Sequence, residues 1–295
     1  FCIVHELHTS YHYTLQRERL QAKRKEYNRG IMARQTVLLV YGGESAERET
    51  SVRSARSVFA AMDGEKYEAQ LCYIDPHGKW WILDHWTDSL EEHGGSQLVA
   101  ALGSHSFLVL PGNALLKPDV IMPLLVAAED NDAVAGMSRL LHMAVVAPSS
   151  GVSAATRRVG GLLQKLQAKD IDVDLAIDGV PDERIVMAAV GRQKDGVFSV
   201  AASIVDSESP DDSLRSVTDS ARAERVRDIA QACYDVAHIR TCALMTFHRH
   251  GETITLATID TYPDLGTTGT FLKLWRMSGV RYPEIVELLI ATARK

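Results

Sequence analysis

The residues best suited to chemistry follow directly after the first strongly apolar segment of the chain. Two glycines, Gly42 and Gly43, come after the run TVLLVY and lead into an acidic stretch with Glu44, Glu47 and Glu49. Glycine lets the backbone approach a ligand closely, and three glutamates in six positions suggest a carboxylate cluster. The alternative is that these carboxylates alternate around a loop and face solvent, where a helix N-terminus favours them.

Metal-ligand chemistry has weaker support in the sequence. His248 and His250 stand two positions apart beside the turn signal His250-Gly251, with no cysteine close in sequence, so a solvated turn is favoured over a metal pair. The four cysteines are scattered without C-x-x-C spacing, which argues against a disulfide framework or a zinc site and fits a reducing, cytoplasmic setting. They are Cys2, Cys72, Cys233 and Cys242.

Length and composition limit the classes of function. The chain has 295 residues, of which 46% are hydrophobic and 24% charged, which is enough for one large or two medium globular domains. A net charge of −6 gives no reason to expect nucleic acid as a partner. No apolar run reaches the roughly 18 residues of a membrane span. Residues 1–33 are predicted to be a poorly ordered extension, with a partner-docking surface helix as the alternative.

Residues 34–150 are predicted to form an N-terminal α/β domain with a mostly parallel sheet. The apolar run at 36–41 is typical of a buried parallel strand, and Ser51 is a plausible N-cap of the following helix, which ends near Asp63. Strand and helix patterns then alternate, as in an open α/β sheet. The pattern predicts strands at 67–74, 80–83, 106–110, 120–125 and 144–147 and a helix at 137–142.

Residues 151–295 have a different pattern and are predicted to form an α+β portion. Helices are expected at 154–168, at 226–236 and at 284–293, the last with Pro283 in its first turn. Paired strands are expected at 185–190 and 197–205 around a Lys-Asp-Gly turn, and a second hairpin at 243–247 and 253–259. The Ser- and Asp-rich stretch at 206–219 reads as a linker.

Several of these stretches resemble D-alanine–D-alanine ligases of the ATP-grasp superfamily. The most specific match is VLLVYGGESAERETSVRSARSVFAAM, which follows the family's opening motif of a strand, two glycines and S-A-E-x-E-x-S. The resemblance implies a pre-ATP-grasp, Rossmann-like parallel sheet followed by a reduced ATP-grasp-like α+β domain. The matching stretches are 37–62, 66–81, 117–125, 140–149 and 261–293.

The resemblance also implies that the site for the first substrate is retained. Glu47 falls on the family's glutamate that holds the amino group of the first D-alanine, and Ser51 falls on its helix-start serine. Gly42 and Gly43 match the family's glycine pair. We call the site formed by Gly42, Gly43, Glu47 and Ser51 the glycine corner. A D-alanine or a related small molecule is therefore the expected ligand of this glycine corner.

The residues with which the family handles ATP are replaced. After the strand at 120–125 the family has His-Gly, where this chain has Val126 and Ala127, and valine offers neither donor nor charge. The family's Met-Asp-Lys, whose lysine meets ATP phosphate, falls on residues 157–159, which read Arg-Arg-Val. The interval 170–181 has no room for the second lysine and its glycine-rich loop, and the active-site loop expected after Ile204 is missing.

The family's magnesium ligands are also mostly replaced. Its Arg-x-Asp falls on Cys242 and Leu244, and its Asn-Glu-x-Asn falls on residues 257–260, where only Asp260 keeps a hard oxygen ligand. The next Pro-Gly becomes Pro263-Asp264, which puts a negative charge where phosphates would sit. Asp260 is thus the one surviving metal candidate, and the resemblance gives no reason to expect that ATP or magnesium is retained.

Three hypotheses follow for function. The first is a catalytically inactive relative of the ligases that forms a homodimer, or a heterodimer with a related ligase. The second is an active ligase with a rearranged metal site, and the third is a decayed gene product. The rearranged site would draw on Asp260, Asp264, Glu129, Asp130 and Asp132.

Overall fold

The computed structural model describes residues 34–86, 94–148, 181–192, 196–199, 203–206, 213–237 and 239–293. Thr36–Lys295 forms one compact unit, and Phe1–Gln35 is a separate unit of which only the last two residues are described. The predictions for residues 1–33 and for a helix at 154–168 lie outside the described residues.

The first sheet has eight described strands in the order β6-β5-β4-β3-β2-β1-β7-β8. Strand β1 is parallel to β7, and β7 to β8, whereas β2 to β6 form an antiparallel series in chain order. The strands are β1 Gln35–Gly42, β2 Tyr67–Ile74, β3 Trp80–Leu83, β4 Ser96–Ala101, β5 Ser106–Leu110, β6 Ala114–Leu116, β7 Val120–Pro123 and β8 Ala144–Val145.

Both faces of β1 are covered, which explains its continuous apolar run. Val37 and Leu39 belong to a core that includes residues of helix α1 (Arg48–Ala61). Leu38 and Val40 belong to a second core with residues of helix α2 (Ala128–Leu140). Alternate side chains of a strand point to opposite faces, so helices on both sides of the sheet require apolar residues at every position.

The second sheet is antiparallel in every described pair, in the order β12-β11-β9-β13-β14, with β10 also paired to β9. One face packs on helix α3, and the other faces helices α4 and α5. The elements are β9 Glu183–Arg192, β10 Gly196–Ser199, β11 Ser203–Asp206, β12 Ser213–Ser216, α3 Ser220–Val236, β13 Cys242–His250, β14 Thr253–Asp260, α4 Thr270–Met277 and α5 Tyr282–Ala291.

One core runs between the two sheets. Val186 and Ala188 of β9 lie in the same buried cluster as Ala55 and Val58 of α1, together with Leu289 of α5. The other face of β9 packs on α3. The C-terminal helices are therefore held between the first helix and the second sheet, and Lys66–Glu287, at 2.5 Å, adds an ion pair between the α1–β2 connection and α5.

The predicted α/β fold is confirmed, although β2 to β6 add an antiparallel part to the parallel strands. The strands β2, β3, β5, β7 and β8, the β9–β10 and β13–β14 hairpins and the helices α3 and α5 are confirmed. Strands β4 and β6 were not predicted from the sequence. No described helix combines the length and apolar character that crossing a bilayer requires.

Three local predictions are wrong. Helix α1 begins at Arg48 with Glu47 as its N-cap, so Ser51 lies inside the helix. Helix α2 spans Ala128–Leu140, so it begins nine residues before the start predicted at 137; Glu129 and Asp130 stand in its first turn, where the helix dipole favours them. The predicted linker at 206–219 contains β12, which pairs with β11 over four residues. The polar composition of this segment gave no indication of a strand.

Candidate functional site

The two glycines lie where β1 ends beside β2. Gly42 and Gly43 have φ angles of 93° and 102°, a conformation that L side chains rarely adopt. A Cβ on Gly42 would lie 2.3 Å from the Ile74 carbonyl oxygen, and the Gly43 N–H donates to that same oxygen at 2.9 Å. Gly42 is therefore required by close packing on β2, in addition to any role toward a ligand.

Ser51 connects three elements at this corner. Its hydroxyl is fully buried, accepts a hydrogen bond from the Gly42 N–H at 2.9 Å and donates to the Leu124 carbonyl at 2.7 Å. It therefore joins the end of β1, the first turns of α1 and the end of β7. A role of Ser51 in substrate binding stays a prediction. Because its hydroxyl is already hydrogen-bonded to the Gly42 N–H and the Leu124 carbonyl, any such role would be to hold these backbone segments in position.

Glu47 is exposed at the start of α1, and its carbonyl accepts the Ser51 N–H at 2.9 Å. Glu44 turns toward the β2–β3 connection, where a Cβ on Gly78 would overlap its carboxylate. Among the described residues no three His, Cys, Asp or Glu side chains group closely enough to hold a metal ion. A role of Glu47 in binding an amino group stays a prediction.

The segment after β7 is held tightly in an unusual conformation. Val126 has a φ of 62°, which is a genuine outlier for a β-branched residue. Its neighbours are held by bonds from the Leu125 N–H to the Asn131 side-chain oxygen (3.0 Å) and from the Leu124 N–H to the Val40 carbonyl (2.8 Å). Asn131 is buried and was not singled out from the sequence, where it sits in a run of acids.

Asp260 ends β14 and accepts the Tyr262 N–H at 2.9 Å. The side chain keeps an exposed surface, yet the surrounding protein displaces enough water to raise the pKa of its carboxyl above the usual range, against the lowering effect of that N–H. Its surroundings therefore disfavour the charged form, which is the form that a divalent cation needs.

The loop after β14, residues 261–266, is bonded to the N-terminal half at two points. The Tyr262 hydroxyl donates to Asp132 on α2 at 3.1 Å, and burial, with Asp132 beside it, raises the Tyr262 pKa. The Ser54 hydroxyl on α1 donates to Asp264 at 2.6 Å, and the Gly266 N–H donates to the same oxygen at 2.7 Å. Sequence reasoning singled out Asp264 but not its partner Ser54, which lies 210 positions away along the chain.

A cavity of about 30 Å³ lies between the end of β7, the start of β13 and this loop. It has room for about one water molecule. Cys242 lines it, and burial raises the pKa of this thiol to about 12, so the thiol stays neutral near pH 7. The hydroxyl oxygen of Thr241, which also lines the cavity, has no hydrogen-bond partner among the described residues.

The two histidines considered from the sequence lie on β13. Burial lowers the pKa of His248, and the charges of His250 and Arg184 lower it further. His248 stands directly opposite Arg184 on β9. When the two histidines are protonated, His248, His250 and Arg184 together carry positive charge. This charge disfavours the binding of a metal cation between the two histidines.

Fold and site together define a two-sheet α/β protein with a glycine corner at the end of its first strand. Two family models match the chain, "D-ala D-ala ligase N-terminus" over residues 36–139 and "D-ala D-ala ligase C-terminus" over residues 162–291. Together they cover well over half of it. The chain belongs to the D-alanine–D-alanine ligase family.

Individual relatives are distant. A D-alanine–D-alanine ligase of Staphylococcus saprophyticus is 29% identical over 136 residues, and the chain spans only 38% of that relative's length. One from Sodalis glossinidius is 24% identical over 349 residues, covering 88% of this chain and 95% of the relative. The solved D-alanine–D-alanine ligase of Coxiella burnetii superposes with a TM-score of 0.77 at 18% identity, over 88% of this chain and 94% of that one.

Proposed function

We propose that this protein is a D-alanine–D-alanine ligase relative that keeps a corner for binding D-alanine and does not carry out ATP-dependent ligation. The observation that carries the proposal is the attachment of the 261–266 loop to the N-terminal half. Hydrogen bonds from Tyr262 to Asp132 and from Ser54 to Asp264 hold the loop at the end of β14. By the family resemblance, magnesium ligands are expected directly before this loop, at residues 257–260.

The side chains of residues 257–260 do not provide the ligands that two magnesium ions bound to a triphosphate need. Magnesium prefers hard oxygen ligands in near-octahedral geometry, whereas residues 257–260 read Ala-Thr-Ile-Asp. Asp260 is the remaining carboxylate, and its surroundings raise its pKa. We therefore assign no catalytic step to ATP or magnesium in this chain.

The glycine corner supports a binding role instead. Glu47 is exposed, and its carboxylate has no hydrogen-bond partner among the described residues, so it is free to accept hydrogen bonds from an ammonium group. Ser51 holds the corner in shape by bonding to Gly42 and Leu124. We infer a ligand with a primary amine, D-alanine or a close relative, and an assembly as a homodimer or as a heterodimer with a related ligase.

An active ligase with a rearranged metal site is the alternative. It needs carboxylates such as Asp132 and Asp264 for metal, but each already accepts a hydroxyl hydrogen bond within the protein. No grouping of three possible ligands occurs among the residues that the structure describes. No observation favours this alternative.

Calorimetric titration tests the proposal, with ATP and Mg²⁺ in one series and D-alanine in another. We expect D-alanine to bind the wild type and Glu49→Gln alike, and to bind Glu47→Gln at least about tenfold more weakly, since a charged hydrogen bond is lost. No heat is expected from ATP. Micromolar ATP binding, or phosphate release that depends on D-alanine, would overturn the loss of catalysis. Equal D-alanine affinity in Glu47→Gln would overturn the binding corner.

A further inference from the structure

Two histidines from separate elements have their rings close together at the surface of the protein. His105 lies in the turn between β4 and β5, and His142 follows the last turn of α2. The ring centroids are 5.2 Å apart, and the ring planes are tilted by 40°. Both residues are exposed, and neither imidazole has a hydrogen bond or an ion pair with the residues that the structure describes. The two rings are therefore available to a ligand.

The backbone at both histidines has a conformation that is uncommon for residues other than glycine. His105 and His142 each have a φ of 53°. At the end of α2, the His142 N–H donates to the Arg139 carbonyl at 3.0 Å, and the Met143 N–H donates to the Ser138 carbonyl at 2.9 Å. These two bonds form a Schellman motif, whose left-handed residue is usually glycine. Because such conformations concentrate at ligand sites, the histidine pair is a candidate binding site.

The end of α2 contributes an electrostatic preference for a positive ion beside His142. The last carbonyl groups of a helix carry a partial negative charge, which stabilises a cation within about one turn of the helix end. Arg139 is the basic residue of that last turn, and its charge offsets part of this attraction. A ligand that binds here therefore needs a strong interaction with the imidazole rings themselves.

The distance between the two rings fits a shared transition-metal ion. Neutral imidazole is the commonest protein ligand of such ions and suits zinc in particular. Two imidazoles on one tetrahedral zinc ion, with Zn–N distances of about 2.0–2.1 Å, have ring centroids roughly 5 Å apart. The centroids of His105 and His142 are already 5.2 Å apart. Because both rings are exposed and neither is hydrogen-bonded to a described residue, each can rotate to direct a nitrogen at the ion.

We propose that His105 and His142 together bind one divalent ion of the zinc type, with water in the remaining coordination positions. The ion would fasten the β4–β5 turn to the end of α2. Zinc sites that hold their ion permanently have three or four protein ligands, and no such grouping occurs among the described residues. The ion is therefore exchangeable. The site is formed by other elements than the glycine corner and does not depend on the function proposed for that corner.

Calorimetric titration of the whole protein with zinc chloride tests the proposal. The wild type is expected to bind one more zinc ion per chain than His105→Gln or His142→Gln, and the double variant should resemble each single one. This comparison removes the contribution of zinc bound by other histidines of the chain. His77→Gln, which changes an exposed histidine of the β2–β3 connection, is the matched control and should bind as the wild type does. Magnesium, which prefers oxygen ligands, should show no such difference.

His142→Gly separates a lost metal ligand from a damaged fold. Glycine adopts the left-handed conformation readily, so without zinc this variant should unfold at a higher urea concentration than the wild type does. Zinc should raise the unfolding midpoint of the wild type and of Glu47→Gln, because it binds the folded state, but should add nothing through this site in His142→Gly. Equal zinc stoichiometry in the wild type and His105→Gln, or an undiminished zinc effect in His142→Gly, would overturn the proposal.

Discussion

The hydroxyl of Ser54 donates a hydrogen bond of 2.6 Å to the carboxylate of Asp264, 210 positions further along the chain. Ser54 is almost fully buried on α1, and the same Asp264 oxygen also accepts the Gly266 N–H. The D-alanine–D-alanine ligase resemblance places a glycine at position 264. Asp264 therefore forms a contact between the first helix and the loop after the last strand.

Ser54→Ala should lower the free energy of unfolding by about 2 kcal/mol, the usual effect of losing a hydrogen bond to a charged group. Urea unfolding near pH 7 measures this, with Ser57→Ala as the control, because the Ser57 hydroxyl bonds only to Arg53 of its own helix. A double-mutant cycle with Asp264→Asn should give a coupling of about 1 kcal/mol. Additive losses would mean that the two side chains contribute independently.

Ser51→Ala should destabilise the protein more than Ser54→Ala does. Removing this hydroxyl leaves the Gly42 N–H and the Leu124 carbonyl without their partner in a buried place. Two unsatisfied groups at about 1 to 3 kcal/mol each predict a loss of about 3 kcal/mol. The same unfolding assay applies, and a loss below about 1 kcal/mol would show that water or a backbone shift replaces the hydroxyl.

The sequence predicted the structure correctly where a local requirement, such as burial of a strand or a positive φ angle, selects one type of residue. The apolar run of β1 predicts a covered strand, and that strand is present. Gly42 does make a close approach, but to Ile74 of β2, and the predicted approach of the glycine pair to a ligand stays a prediction. The sequence could not reveal the bonds from Ser54 to Asp264 or from Tyr262 to Asp132, whose partners are 210 and 130 positions apart. Such pairs depend on how the two sheets pack, and no local pattern encodes them.

Val126→Gly should change the free energy of unfolding by less than about 1 kcal/mol. Strain in the left-handed region is of order 1 to 3 kcal/mol for a non-glycine residue, and its relief offsets the flexibility that glycine adds to the unfolded chain. The matched control is Val120→Gly in β7, where an extended, buried valine should lose about 3 kcal/mol. Equal losses at both positions would show that packing of the Val126 side chain outweighs its strain.

His248 should give the folded protein a measurable pH dependence. Its pKa in the folded state lies below the ordinary 6.5, through burial and the charges of His250 and Arg184. As the pH falls below 6.5 the unfolded chain takes up a proton first, so stability is full above that pH and declines as the pH drops through the folded-state pKa. Unfolding free energies between about pH 7 and pH 5 should therefore fall less steeply in His248→Gln.

Arg184→Gln provides a graded version of the same test. Removing the guanidinium opposite His248 takes away one cause of the lowered pKa and leaves the contributions of burial and His250. The slope of stability against pH should then lie between those of the wild type and His248→Gln. If all three proteins show the same slope, the titration of His248 does not contribute to stability, and the pH dependence in this interval arises from other groups.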